Sequence, residues 1–151
     1  MPLPPSAPAQ LDPRSRASYR AWTAIPIRFA DQDPLGHVNN AAVAIYLEHA
    51  RCEQLLPVVR GAGVPGLDFV LARIVIDYLV EIRYPGQVDI GTRIARLGTR
   101  SLLLANAVFQ GERCHCVAEA TLVFFDTLSR KSTAPPAAVR EHMRRFMIEP
   151  P

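Results

Sequence analysis

The chain has 151 residues, an ordinary apolar fraction of 49% and a formal net charge of +3. That length fits one domain with a real core, and no apolar run approaches the roughly 18 residues needed to span a bilayer as a helix. The basic residues are scattered arginines with a single lysine, Lys131, so no basic block points to nucleic acid.

Residues 1 to 18 are rich in Pro, Ala and Ser, and read as a flexible arm ahead of a domain over 19 to 147. Prolines stand where the apolar stretch of a signal peptide would lie, so export is not expected and a cytoplasmic location follows. A first strand is predicted over Tyr19 to Phe29, with Pro26 favouring an edge position. A polar loop, Asp31 to Asn40, leads into a helix over Ala41 to Leu56. Val43, Ile45, Leu47, Ala50, Cys52, Leu55 and Leu56 cover more than one stripe of it, which predicts burial on most sides. Pro57 should end or kink that helix.

Phe69 to Tyr84 alternates with period two. Its even positions, from Val70 to Tyr84, are apolar and predict one buried face. Strands near Val88 to Leu97, Ser101 to Gln110 and Arg113 to Asp126 follow, separated by turn signals. In the last of these, Cys114, Cys116, Ala118, Ala120, Leu122 and Phe124 are expected on one face, with His115 on the other. Cys-His-Cys invites a metal reading, but no fourth ligand completes a zinc set, so no metal is expected. Pro135 and Pro136 open a short helix over Ala137 to Met147. A strand, a long helix and four strands make an α+β domain: an antiparallel five-stranded sheet around a central helix.

The densest chemistry lies in residues 28 to 51, RFADQDPLGHVNNAAVAIYLEHAR. Asp33 stands just ahead of a predicted helix N-terminus, where unpaired N–H groups and partial positive charge gather. A carboxylate there could be a plain N-cap, but Asn39 or Asn40 lies closer to the helix start and can cap instead. Gly36 would allow a tight turn. A carboxylate beside such donors suits attack on a carbonyl whose oxygen becomes negative.

This segment resembles the hotdog-fold acyl-CoA thioesterases, in particular the 4-hydroxybenzoyl-CoA thioesterase-like family. The matching residues are Arg28, Asp33, Gly36-His37-Val38-Asn39-Asn40, Tyr46, Glu48 and Ala50-Arg51. Looser matches follow at Val75 to Tyr78, Gly98 with Ser101, and Asp126 with Lys131. The resemblance implies a hotdog fold that hydrolyses acyl-CoA, with coenzyme A as part of the substrate and no other cofactor. It implies Asp33 as nucleophile or general base, and the backbone N–H of Asn40 as a donor to the thioester oxygen. Gly36 and His37 complete the catalytic loop, and His37 either orients that loop or moves protons. Asn39, Arg100, Ser101, Arg130 and Lys131 are implied to contact the substrate. Arg93 and Arg96 could join Arg100, Arg130 and Lys131 at the nucleotide phosphates.

Glu48 is read as structural, three residues before Arg51 and spaced for a local ion pair. Leu35 replaces an Asn that plant-type acyl-ACP thioesterases carry. Alternatives are an acyl-ACP thioesterase, a hotdog hydratase or a non-catalytic acyl-binding module. A homo-oligomer, dimer or tetramer, is expected with sites between subunits. No membrane partner is expected.

Overall fold

A computed structural model describes residues 11 to 148. Helix α1, Asn40–Gly61, lies against a sheet of strands β1 (Ala21–Pro26), β2 (Leu67–Tyr78), β3 (Gln87–Leu97), β4 (Ser101–Gln110) and β5 (Arg113–Asp126). A two-residue strand, β6 (Lys131–Ser132), pairs with β5, and a short helix, α2 (Ala137–Arg144), follows. The strand order is β1-β3-β4-β5-β2, and every recorded pairing is antiparallel. This is the expected hotdog architecture: a curled sheet around one long helix. No helix among the described residues is long and apolar enough to cross a membrane.

The core divides along the helix. Near its start, Val43, Tyr46, Leu47 and Ala50 pack on Val88, Ile90, Val108, Cys116 and Ala118. Further on, Leu55 and Val59 pack on Ile94, Leu102, Leu104, Leu122 and Phe124, with Val139 and Met143 of α2 closing the end. Small side chains at Ala118 and Ala120 leave room for the helix.

Four local expectations need correction. The helix does not stop at Pro57 but runs on to Gly61. Pro57 offers no N–H to the preceding turn, yet Leu55 and Val59 on either side are fully buried and hold the last turn in place. Nor is the helix buried on most sides, since Ala41, Ile45, Glu48, His49 and Glu53 face outward.

The third correction concerns β2. It ends at Tyr78 rather than Tyr84, and residues 79 to 84 form an irregular segment. A bulge between Leu71 and Arg73 also switches its parity. Before the bulge Leu67 and Phe69 face the helix, and after it Ile74 and Ile76 do. Val70, expected inside, is exposed.

Fourth, a bulge in β5 leaves His115 unpaired, because Val108 faces Cys116 while Phe109 faces Cys114. Cys116 therefore points to the helix, and Cys114 packs with Phe109 on the opposite face.

The segment expected as a flexible arm divides in two. Residues 1 to 10 lie outside the described residues. Residues 12 to 19 form a strap over the outer face of the sheet. The hydroxyl of Ser18 donates to the carbonyl of Asp12 (2.6 Å), and that of Tyr19 donates to the carbonyl of Pro13 (2.6 Å). The Arg16 guanidinium lies 4.2 Å from the centre of the Trp22 ring and pairs with Asp89 at 3.3 Å. The Tyr19 ring rests on Gly91, where any Cβ would fall 2.6 Å from the ring.

Tyr19 is 6% exposed. Tyr19→Ala should therefore cost about 3 kcal/mol, the usual loss for a buried aromatic. A denaturant midpoint within error of wild type would mean that the strap adds nothing to stability.

Candidate active site

The loop ahead of α1 is built on Asp31. A single 3-10 turn, Phe29–Asp31, brings its carboxylate back onto Arg28. Arg28 donates to it from Nε (3.0 Å), Nη2 (2.7 Å) and its backbone N–H (2.9 Å). From α1, the Tyr46 hydroxyl donates to the same carboxylate. The Asp31 carbonyl accepts the N–H of Asn39 at 2.9 Å, so one residue fastens both ends of the loop. Burial alone would raise the Asp31 pKa, but the hydrogen bonds from Arg28 and Tyr46 outweigh it and hold the carboxyl below the usual range. Burial, reinforced by the charge of Asp31, pushes the Tyr46 phenol well up.

Within this frame residues 32 to 38 form a small hairpin. Gln32 and Val38 form an isolated bridge, the Asp33 N–H donates to the His37 carbonyl (2.9 Å), and the Gly36 N–H donates to the Asp33 carbonyl (3.0 Å). Gly36 has φ +83°, with open space where a Cβ would stand. The turn thus needs glycine for its backbone conformation rather than for room.

One carboxylate oxygen of Asp33 accepts the Leu35 N–H at 2.9 Å, and the other lies 3.6 Å from His37 Nδ1. The Asp33 side chain is 16% exposed, sheltered but reachable. Asn39 caps α1, its side-chain oxygen accepting the Ala41 N–H at 2.8 Å. Asn40 is the first helical residue, so the helix offers its N–H no acceptor.

A cavity of about 200 Å³ opens at this helix end, lined by His37, Asn40, Val43, Tyr78, Glu81 and Cys116 among others. Asp33 stands behind His37 and does not itself line the cavity. The Tyr78 hydroxyl donates to the Asn40 carbonyl at 3.2 Å and ties β2 to the helix start. Burial pushes the Cys116 thiol up to about 12, so it meets the cavity as a neutral group.

Asp33, Gly36, His37, Asn39 and Asn40 therefore sit together, but Arg100, Ser101, Arg130 and Lys131 do not join them. Ser101 pairs with Val123, and Lys131 with Asp126, at the far end of β5 from Cys116. At ~3.4 Å per strand residue that is over 20 Å away in the same chain. Arg130 turns its guanidinium over the Phe125 ring at 5.2 Å.

Glu48 is exposed and 3.7 Å from the buried Arg51, the local ion pair that the spacing implied. Two cavity residues, Tyr78 and Glu81, were not legible as site residues. Both looked like ordinary positions of a long strand, and nothing in the alternation marks where that strand ends.

A family model of the thioesterase-like superfamily matches residues 27–143. The chain belongs to this superfamily. With solved thioesterases among its structural neighbours, the chain is a thioester hydrolase. Among solved structures, the PA5185 protein of Pseudomonas aeruginosa is 26% identical, with 89% of this chain and 96% of that one covered at a TM-score of 0.80. A Thermus thermophilus thioesterase, solved with coenzyme A and zinc, is 30% identical over 85% and 95% of the two chains, at a TM-score of 0.74. A DHNA-CoA thioesterase of Staphylococcus aureus shares the fold at 17% identity, covering 76% and 79%, with a TM-score of 0.68. No curated protein matches.

Asp31→Asn should destabilise this thioesterase by roughly 2 kcal/mol at neutral pH, since it weakens charge-assisted hydrogen bonds to a buried acceptor. Because the folded-state pKa is depressed, the wild-type advantage is full above the unfolded value of about 4 and is lost as pH falls below it. Urea melts of both proteins from pH 7 to pH 3 check this. A gap that widens on acidification would contradict it.

Proposed function

We propose that the protein hydrolyses acyl-CoA thioesters to the free acid and CoA, with Asp33 as the reacting carboxylate. The observation that carries this reading is the cavity at the start of α1, lined by His37 and Asn40, with the sheltered Asp33 beside His37 and the Asn40 N–H in the first turn, where the helix supplies no acceptor. A thioester carbonyl at the mouth of this cavity, within reach of the partly exposed Asp33 carboxylate, would take the Asn40 N–H on its oxygen, where charge develops in the transition state. Asp33 then attacks the carbonyl carbon to give an anhydride and free thiolate, and water cleaves the anhydride. Alternatively, Asp33 takes a proton from a water that attacks directly. Thiolate is a good leaving group, so neither route requires a strong acid. Coenzyme A as carrier draws support from the Thermus thioesterase solved with it. We assign the enzyme to the cytoplasm, in keeping with such a substrate.

The active unit in this reading is a dimer or a pair of dimers. Strand β2 lies at a sheet edge, with Val70, Leu71 and Val75 exposed. Such an edge favours pairing with another chain. Antiparallel pairing of two copies would also carry Arg100, Ser101, Arg130 and Lys131 of one subunit toward the other's cavity.

Asp33→Asn should lower kcat by at least ~100-fold against a panel of aromatic, short, branched and long acyl-CoAs, with an unchanged circular dichroism spectrum. A folded variant with near wild-type turnover would overturn the assignment. Matched CoA and ACP thioesters identify the carrier, and faster turnover of the ACP form would replace CoA in this reading. Light scattering over a dilution series, with activity measured in parallel, should show turnover falling as the oligomer dissociates. A fully active monomer would reject the shared site.

A further inference from the structure

The irregular segment after β2 is fastened on several sides, and each tie bears on one carboxylate. The N–H groups of Leu79 and Val80 both donate to the His115 carbonyl, at 2.9 and 3.1 Å. The His115 ring is buried, and its Nδ1 lies 2.8 Å from the Glu81 carbonyl. A carbonyl only accepts, so that nitrogen carries the hydrogen. The carbonyl of Ile82 accepts the Val38 N–H at 2.8 Å and joins the segment to the active-site loop. His115 can serve here because the β5 bulge frees it from the ladder.

The Glu81 side chain held by these ties divides its two oxygens. Arg83 Nη2 takes Oε2 at 2.6 Å, and Oε1 lies 4.0 Å from His37 Nε2. His37 Nδ1 lies 3.4 Å from the Val38 carbonyl and 3.6 Å from Asp33 of its own loop, while Nε2 has Glu81 across the cavity. Both carboxylate distances exceed hydrogen-bond length. At such distances a carboxylate acts on the ring through its field rather than through a hydrogen bond.

We propose that Glu81 is a positioning residue for the reaction, setting the His37 ring against Asp33, and that His115 is the brace that holds Glu81 in place. The proposal rests on the assignment of Asp33 to the chemistry. It adds a carboxylate, an arginine and a second histidine that the Asp33 loop does not itself contain. Glu81 also lines both the cavity and the adjoining outer cleft of Arg83, Gln110, Arg113 and His115, so it stands at the rim between them.

The test uses the full chain. Glu81→Gln keeps the shape and removes the charge. It should lower kcat about tenfold, with KM changed less than twofold and Tm unchanged, because the side chain is 53% exposed. His115→Phe removes the donor and should lower kcat to a similar degree. His115→Asn, which keeps an N–H donor near the same place, should recover most of that loss. In a His37→Ala background, Glu81→Gln should have no further effect, since both act through the same ring.

A readout independent of turnover is the nitrogen NMR of the four histidines. The His37 ring signals should move in Glu81→Gln and in His115→Phe, and less in His115→Asn. Unmoved His37 signals in Glu81→Gln overturn the inference whatever the substrate proves to be. So does a multiplicative loss on top of His37→Ala. An inactive wild type with the His37 shifts as described would instead refute the assignment of the reaction and leave the positioning geometry standing.

Discussion

The site depends on one buried charge. Asp31 is 5% exposed, and a carboxylate so placed is tolerable only with its oxygens satisfied. Arg28 on one side and Tyr46 on the other satisfy them, and the backbone of Asp31 receives Asn39. Those partners come from just beyond β1, from the first helical turns and from the helix cap. The small hairpin of the loop is thereby referred to the rigid parts of the molecule. The position of Asp33 relative to the Asn40 N–H is inherited from that clamp.

A division of labour between two neighbouring aspartates follows. Asp31 is spent on the scaffold, with its charge fixed by its partners. Asp33 keeps one oxygen for its own turn and leaves the other toward His37. Opposite, the wall of residues 79 to 82 is held by an extra residue in β5. The cavity is thus bounded by two irregular segments, each pinned by a polar side chain in the core. Irregular backbone near a site is tolerated when its donors and acceptors are all accounted for.

The sequence carried the element order and an α+β arrangement through local pattern, and the hotdog architecture and the cluster around the helix start through the family resemblance of residues 28 to 51. Gly36 at the turn also follows from residue type, and an asparagine cap does too, although only the structure decides for Asn39 over Asn40. What it did not carry is parity. An alternating strand reads the same with or without an extra residue, so the bulges at Ala72 and His115 reversed the facing of Val70 and Cys114 unannounced. For the same reason Glu81 looked like one more solvent-facing strand residue. Pro57 misled in the other direction. A local helix breaker lost to two fully buried neighbours, a contest that only tertiary packing decides. That Arg100, Arg130 and Lys131 stand at the other end of β5 from the Asp33 loop of their own chain is a matter of register and strand length, which no motif encodes.

The contact of Tyr19 on Gly91 has a bearing on how this chain can change over time. The aromatic ring occupies the volume that any side chain at position 91 would need. The two positions are therefore not free to drift separately. A lineage that replaces Gly91 must first shed the ring, and one that loses the ring opens a dent over β3 and β4 that a larger residue at 91 could fill. Among relatives, size at one position should trade against size at the other. That would be a record of whether the strap is an old part of the domain or an addition to it.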